Sequence, residues 1–79
     1  MAVLRLFASA REAAGVGRDS FDEPTVGAVI AAASARYGEH FVAVLANCKI
    51  WLNGDEADPS SPVGEIDEVA VLPPVSGGS

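Results

Sequence analysis

The segment Val69-Ala70-Val71-Leu72-Pro73-Pro74-Val75-Ser76-Gly77-Gly78-Ser79 indicates how the whole chain is organised. Its first four residues form an apolar run that is typical of a strand. Two prolines end that strand, because proline cannot donate a hydrogen bond to a neighbouring strand. Proline also fixes φ, whereas Gly77 and Gly78 have no Cβ and can enter a narrow channel. The segment therefore predicts a strand followed by a stiff, slender C-terminal tail over residues 73–79.

The composition predicts one small globular domain. The chain has 79 residues, of which 49% are hydrophobic and 20% charged, which is typical of a folded domain rather than a disordered chain. All five bases and five of the eleven acids lie within residues 1–49, and six acids with no base follow. The net charge of -6 argues against a nucleic-acid partner and favours a basic partner surface.

Several other classes are not expected. The single Cys48 cannot form an internal disulfide, and one cysteine with one histidine, His40, is too few for a typical metal site, so no metal is predicted. The chain has no stretch near the ~20 apolar residues of a membrane span and no signal-peptide pattern at its start. We therefore expect a cytoplasmic protein without membrane contact, in which Cys48 is a small, partly buried apolar residue.

The N-terminal residues predict a first strand. Residues 2–8 alternate, with Leu4 and Leu6 on the face toward the core and Phe7 on the other face. Residues 19–22 are a weaker strand pattern, and we expect them to pair with the first strand as a hairpin.

Two helices are indicated between the strands. Ser9 and Glu12 have the capping-box spacing for a short helix that ends at Gly15. Thr25 is the expected N-cap of the main helix, and Gly38 lies just past its end. The apolar stripe of that helix consists of Val26, Val29, Ile30, Ala33 and Tyr37.

The remaining elements follow the main helix. Residues 41–45 indicate a further helical turn or a packed loop, and residues 49–52 alternate as a strand. Asn53-Gly54 is a strong turn dipeptide. Pairing across that turn is one alternative for residues 55–62, but their composition favours a surface loop. Residues 63–67 predict a short turn before the last strand.

The order of elements predicts an α+β protein with a β-grasp, or ubiquitin-like, fold. A mixed sheet of four to five strands would pack on one main helix, with the first and last strands as parallel neighbours joined by a right-handed crossover. We expect residues 1–72 to form this domain and residues 73–79 to form the tail.

The alternation also predicts an apolar patch on the sheet face away from the helix. Phe7, Trp51, Ala70 and Leu72 should project from that face, beside the tail. Small monomers seldom expose such a patch, which favours a partner surface. The alternatives are that loops cover it or that the strand register is shifted by one residue.

The sequence shows no constellation of catalytic side chains. His40 follows Glu39 in a stretch typical of a solvated surface, and Ser76 has no histidine partner in sequence. A terminal Gly-Gly can instead pass its carboxylate through a tunnel that side chains would block, and adenylation would make it an acyl donor. The alternative is an unstructured terminus with no role.

The whole chain resembles the small subunit of molybdopterin synthase, a family of ubiquitin-like sulfur carriers. The resemblance is carried by residues 6–8 with Arg11-Glu12 and Gly15, by Thr25-Val26-Gly27, by Asn53-Gly54 and by residues 67–70. Its most specific motif is Leu72-Pro73-Pro74-Val75-Ser76-Gly77-Gly78.

The resemblance implies a role for each part of the tail and for two partners. A ubiquitin-activating-type adenylyltransferase would use ATP and Mg²⁺ to adenylate Gly78, which follows Gly77, and sulfur would then replace AMP to give a thiocarboxylate. The large subunit of the synthase would receive the tail in a heterotetramer, supply the catalytic side chains and transfer the sulfur to a cyclic pyranopterin monophosphate. This chain would bind no cofactor. Phe7 and Leu72 match family positions on the hydrophobic partner surface, and the alternation described above adds Trp51. The tail residues expected to contact the partner are Pro73, Pro74, Val75 and Ser76.

Two features depart from the family pattern. Ser79 follows Gly78, so either Ser79 is removed, or it is not native to the protein, or the chain is not a carrier. Ile66 stands where the family often has glycine before the last strand, which affects the expected turn. Carriers for thiamine or cysteine biosynthesis also end in Gly-Gly, and an interaction domain that is never activated is a further alternative.

Overall fold

The computed structural model describes residues 1–73, and over this range the chain forms three helices and a five-stranded sheet. The elements are β1 (Ala2–Leu6), α1 (Ala8–Ala14), β2 (Arg18–Phe21), α2 (Val26–Tyr37), α3 (Glu39–Leu45), β3 (Lys49–Leu52), β4 (Asp55–Glu56) and β5 (Glu68–Leu72). Residues 74–79 of the predicted tail lie outside the described residues, so the division into a domain over 1–72 and a tail over 73–79 stays a prediction.

The sheet has the predicted topology. Its strand order is β2-β1-β5-β3-β4, so the first and last strands are central neighbours. They run parallel, with Leu4 opposite Val69 and Leu6 opposite Val71, and the other pairs are antiparallel. The weak hairpin of β1 and β2 is confirmed. This mixed sheet with one long helix is the expected β-grasp fold.

Helix α2 covers one face of the sheet, which we call the inner face. Its N-cap is Thr25 as predicted, with the hydroxyl oxygen accepting from the Ala28 N–H at 3.1 Å. The buried core consists of Ala2, Leu4, Leu6, Ala10, Phe21, Val26, Val29, Ala33, Phe41, Val69 and Val71. Two residues of the predicted apolar stripe, Ile30 and Tyr37, lie at the margin of this core and are only partly buried. No helix within residues 1–73 is long and apolar enough to cross a membrane.

The predicted capping box of α1 is wrong. The helix begins at Ala8, one residue before Ser9, and its N-cap Phe7 makes no side-chain capping bond. The cause is tertiary, because the Phe7 N–H donates to the Val71 carbonyl of β5 at 3.3 Å and so holds the chain at this point. Ala8 turns the chain sharply with a φ of 50°. The predicted helix end at Gly15 is confirmed, with a φ of 83°.

The loop predicted after Asn53-Gly54 is partly a strand. Both turn residues have positive φ, 51° for Asn53 and 90° for Gly54, as a tight hairpin turn requires. The turn therefore directs Asp55 and Glu56 back along β3, where they pair as β4 although their β propensity is low.

The following loop is fixed to the start of α2. The Val26 N–H donates to the Ser61 carbonyl at 2.9 Å, and the Gly27 N–H donates to the Pro59 carbonyl at 2.8 Å. Helices leave their first N–H groups without internal partners, and the loop satisfies two of them here. This contact places residues 57–63 on the helix side, so they do not cover the opposite face of the sheet.

The turn before β5 forms despite the isoleucine. The Asp67 carboxylate accepts from the Gly64 N–H at 2.7 Å and from the Asn53 side-chain amide at 3.0 Å. The Asn53 hydrogen bond, followed by the Gly64 one, holds the pKa of Asp67 below its usual value. Ile66 points into solvent, so the side chain at this position does not disturb the turn.

Candidate functional site

The tail leaves the sheet where β1 and β5 end and β3 begins. Leu72 is the last residue of β5 and lies opposite Lys49, the first residue of β3. Pro73 follows outside the strand and is half-buried. The predicted stop at the first proline is therefore correct, and the chain leaves the sheet from the end of β5, between β1 and β3.

A row of paired residues crosses the sheet on the face away from α2, which we call the outer face. Residues that pair across strands project from the same face. Arg5 pairs with Arg18 and Ala70, and Ala70 pairs with Trp51. The complete row, from β2 to β4, is Arg18, Arg5, Ala70, Trp51 and Glu56.

Phe7 and Leu72 extend this face toward the exit of the tail. Phe7 is 38% exposed and Leu72 is 36% exposed. The Arg5 guanidinium lies over the Phe7 ring, 5.5 Å from its centroid, within the range of a cation–π contact. The hydrogen bond from Phe7 to Val71 and the left-handed Ala8 fix the backbone on both sides of this ring. Phe7 is thus held in place while its side chain remains accessible.

Ion pairs on the outer face are solvent-exposed and weak. Arg5 Nη1 lies 3.4 Å from Glu68 Oε2, and Lys49 Nζ lies 3.5 Å from Glu56 Oε2. Exposed pairs of this kind contribute little to stability. Arg18 forms no ion pair with another residue in the range 1–73. These side chains are consequently available to a binding partner at small cost to the fold.

A different polar cluster joins β2 to the end of α2 on the inner side. The Tyr37 hydroxyl donates to Asp19 Oδ2 at 2.6 Å, and Arg36 Nη1 lies 3.0 Å from the same oxygen. The Tyr37 hydrogen bond is the largest of the effects that lower the pKa of Asp19. Burial, and then the contact with Asp19, raises the pKa of Tyr37. The cluster has a structural role at the edge of the sheet.

Cys48 and His40 have the surroundings expected from the sequence. Cys48 is half-buried and its thiol donates to the Val44 carbonyl at 3.3 Å, while burial raises the pKa of the thiol. A thiol in this setting is a poor nucleophile. His40 lies exposed on α3. Within residues 1–73, no three acidic, histidine or cysteine side chains come together as metal ligands.

The structure brings together three of the predicted partner contacts. Phe7, Trp51 and Leu72 lie on the outer face, and Pro73 lies at its edge, whereas 74–78 lie outside the described residues. Sequence reasoning missed Arg18 and Lys49 on this face. The position of Arg18 depends on the register of the β1–β2 hairpin, whereas Lys49 lies two residues before Trp51 on β3 and could have been placed on this face by alternation.

The sheet order and the single long helix place the chain in the class of ubiquitin-like β-grasp proteins. A match to the ThiS family model covers residues 4–78. The chain belongs to the ThiS family. The match ends at Gly78, one residue before Ser79.

Solved structures show the same fold. SAMP1 from Haloferax volcanii is 27% identical with a TM-score of 0.76, and the alignment covers 98% of each chain. A protein assigned as molybdopterin converting factor subunit 1 from Pyrococcus furiosus is 26% identical, with a TM-score of 0.82 and coverage of 94% of this chain and 97% of that one. A third structure is a complex of subunits 1 and 2 of molybdopterin converting factor from Helicobacter pylori. It is 24% identical, covers 98% of this chain and 97% of that one, and has a TM-score of 0.74. At this identity the similarity shows the fold alone. No curated protein matches the sequence.

Proposed function

We propose that this chain is the sulfur carrier of molybdopterin synthase. In this role its C-terminal glycine is adenylated, converted to a thiocarboxylate and inserted into the large subunit, where it donates sulfur to a cyclic pyranopterin monophosphate. The observation that carries the proposal is the family match through Gly78, in a chain whose last strand ends beside an accessible apolar face.

The acyl chemistry belongs to the tail and not to a side chain of the domain. A carboxylate oxygen attacks the α-phosphorus of ATP and pyrophosphate leaves, which gives an acyl adenylate. Hydrosulfide, released by the sulfur donor, then attacks the acyl carbon, AMP leaves and the thiocarboxylate remains. ATP and Mg²⁺ are used by a ubiquitin-activating-type adenylyltransferase, and this chain binds no cofactor. Gly77 and Gly78 supply a backbone that has no side chain to block a narrow channel.

Adenylation of Gly78 requires the loss of Ser79. While the serine is present, the carbonyl of Gly78 is in a peptide bond and cannot be adenylated. The proposal therefore includes removal of this residue before activation.

The outer face would bind the large subunit while the tail enters its active site. Phe7, Trp51 and Leu72 supply the apolar centre of the contact, and Pro73, Pro74, Val75 and Ser76 would lead the glycines inward. The Pyrococcus furiosus relative, 26% identical, is assigned as subunit 1 of molybdopterin converting factor, which supports a partner of this kind. We extend the proposal to the heterotetramer, in which the large subunit supplies the catalytic side chains.

In the second candidate function, the activated Gly78 is transferred to a different acceptor. The similarity to SAMP1, a small archaeal modifier protein, favours attachment of Gly78 to a protein amine. Carriers for thiamine or cysteine biosynthesis share the activation step. A domain that is never activated would share only the fold.

Reconstitution separates these functions. Chains that end at Gly78 or at Ser79 are incubated with the activating enzyme, ATP, Mg²⁺ and a sulfur donor, then with the large subunit and the pterin precursor. We expect molybdopterin from the chain that ends at Gly78, and a large loss with Gly78→Ala because the added methyl group obstructs the channel. A sulfur-loaded chain that yields no molybdopterin would favour the other carriers, and a conjugate with protein amines would favour the modifier.

A further inference from the structure

The outer face is basic in a chain that is acidic overall. Its charged side chains are three bases and two acids, namely Arg5, Arg18, Lys49, Glu56 and Glu68. The other nine acids and two bases lie elsewhere, so the rest of the molecule is strongly negative. The six acids after Ile50 led us to expect a basic partner surface. The register shows the opposite charge where the predicted apolar contacts lie.

The bases surround the apolar residues of this face. Arg5 lies beside Phe7 and over its ring, Arg18 adjoins Arg5 on β2, and Lys49 lies opposite Leu72 at the exit of the tail. Both acids of the face are already in exposed pairs with Arg5 and Lys49. Arginine and aromatic residues are the commonest residues of high binding energy in protein interfaces.

We propose that the outer face binds a protein surface whose apolar centre is bordered by carboxylates, with Arg5, Arg18 and Lys49 as the residues that select it. This inference rests on the proposed function and names the chemistry of the partner surface that receives the tail. Carboxylates on the partner would take the place of Glu68 beside Arg5 and of Glu56 beside Lys49. A further carboxylate would pair with Arg18. The negative remainder of the chain would repel the same partner and so favour this one orientation.

Association kinetics with the large subunit test the proposal. The variant Arg18→Gln/Lys49→Gln removes two positive charges from the outer face. Its matched control, Ala31→Glu/Ala35→Glu, makes the same change in net charge at exposed positions of α2 on the helix side. We expect the first variant to associate about tenfold more slowly than the wild type at low salt, and the difference to shrink at high salt because the charges are screened. The control should change the rate by less than about twofold.

Each other outcome contradicts the inference. Equal slowing by both variants would assign the effect to net charge, and no slowing would remove the role of the bases. Binding of a single-stranded oligonucleotide to the wild type, or a wild-type dimer that the double Gln variant abolishes, would assign the face to a different partner. If the double Gln variant binds normally while the wild type supports molybdopterin formation, the inference fails and the proposed function stands. If the wild type neither loads sulfur nor binds the large subunit, both fail.

Discussion

The two faces of the central strands carry similar apolar residues in opposite surroundings. On β5, Val69 and Val71 are fully buried under α2, whereas Ala70 and Leu72 on the alternate face remain partly accessible. On β1, Leu6 is buried and its neighbour Phe7 is exposed. A strand with only one face toward the core normally alternates apolar and polar residues. The inner face therefore stabilises the fold, and the accessible apolar residues of the outer face support the binding role proposed for it.

Truncation of one leucine on each face should give the largest difference in the free energy of unfolding. Leu6→Ala should lower the free energy of unfolding by about 3 kcal/mol, because it leaves a cavity in the core. Leu72→Ala should lower it by less than about 1 kcal/mol, since this side chain is already partly exposed. Urea denaturation of both variants checks the difference. Equal losses would show that the outer face is part of the core.

Replacement of Phe7 by Asp tests the binding role proposed for the outer face. We expect binding to the large subunit to weaken by about thirtyfold, as for an aromatic residue at the centre of an interface, with a small change in Tm. The matched control is Val42→Asp on α3, which replaces an apolar residue that is 46% exposed on the helix side. Titration calorimetry measures the affinity of both variants for the large subunit, and thermal denaturation measures their Tm. Unchanged affinity with Phe7→Asp would remove the interface assignment.

Gly27→Ala measures how closely the helix side is packed. An added Cβ would lie 2.9 Å from the Pro59 carbonyl oxygen, so the loop would have to move and weaken its hydrogen bond to Gly27. We expect a loss of about 1–2 kcal/mol in the free energy of unfolding. Gly64→Ala is the control, because its nearest neighbour would be the Asp67 side chain at 3.6 Å. Equal stability of the two variants would contradict the close packing.

The smallest expected effect concerns Asp19 at the edge of the inner face. Its pKa in the folded state is lowered from the ordinary value of 3.8, chiefly by the Tyr37 hydrogen bond. The carboxylate therefore stabilises the fold above that value, and the contribution is lost as the pH falls through the lowered pKa. Asp19→Asn should cost about 1 kcal/mol at neutral pH and progressively less in acid.

Unfolding of this variant and of Asp22→Asn, an exposed neighbour in sequence, is compared over the acid range. A difference between Asp19→Asn and the wild type that does not depend on pH would show that the cluster acts through packing and not through the charge of Asp19.

Local sequence patterns were sufficient for most of the fold. The alternation of Leu4 and Leu6, and the N-cap at Thr25, each depend on neighbours within a few residues, and both are confirmed. The start of α1 was missed because the bond between Phe7 and Val71 joins distant parts of the chain. The low β propensity of Asp55 and Glu56 predicts a loop, whereas the turn at Asn53-Gly54 directs these residues back along β3 as β4.

The candidate site was predictable in its apolar part only. Phe7, Trp51 and Leu72 follow from alternation within single strands. The position of Arg18 next to Arg5 depends on the register of a hairpin, and the pairing of Lys49 with Glu56 depends on a strand that the sequence did not indicate. The charge of the face was therefore not predicted from the sequence, whereas its apolar residues were.

The most direct test of the carrier function is the mass of the chain after activation. A chain that ends at Gly78 is incubated with the activating enzyme, ATP, Mg²⁺ and a sulfur donor, and the intact mass is measured. We predict a gain of about 16 Da from exchange of one oxygen for sulfur, and no gain in the chain that retains Ser79. An unchanged mass of the Gly78-terminated chain, with an enzyme that loads its own carrier, would contradict the account.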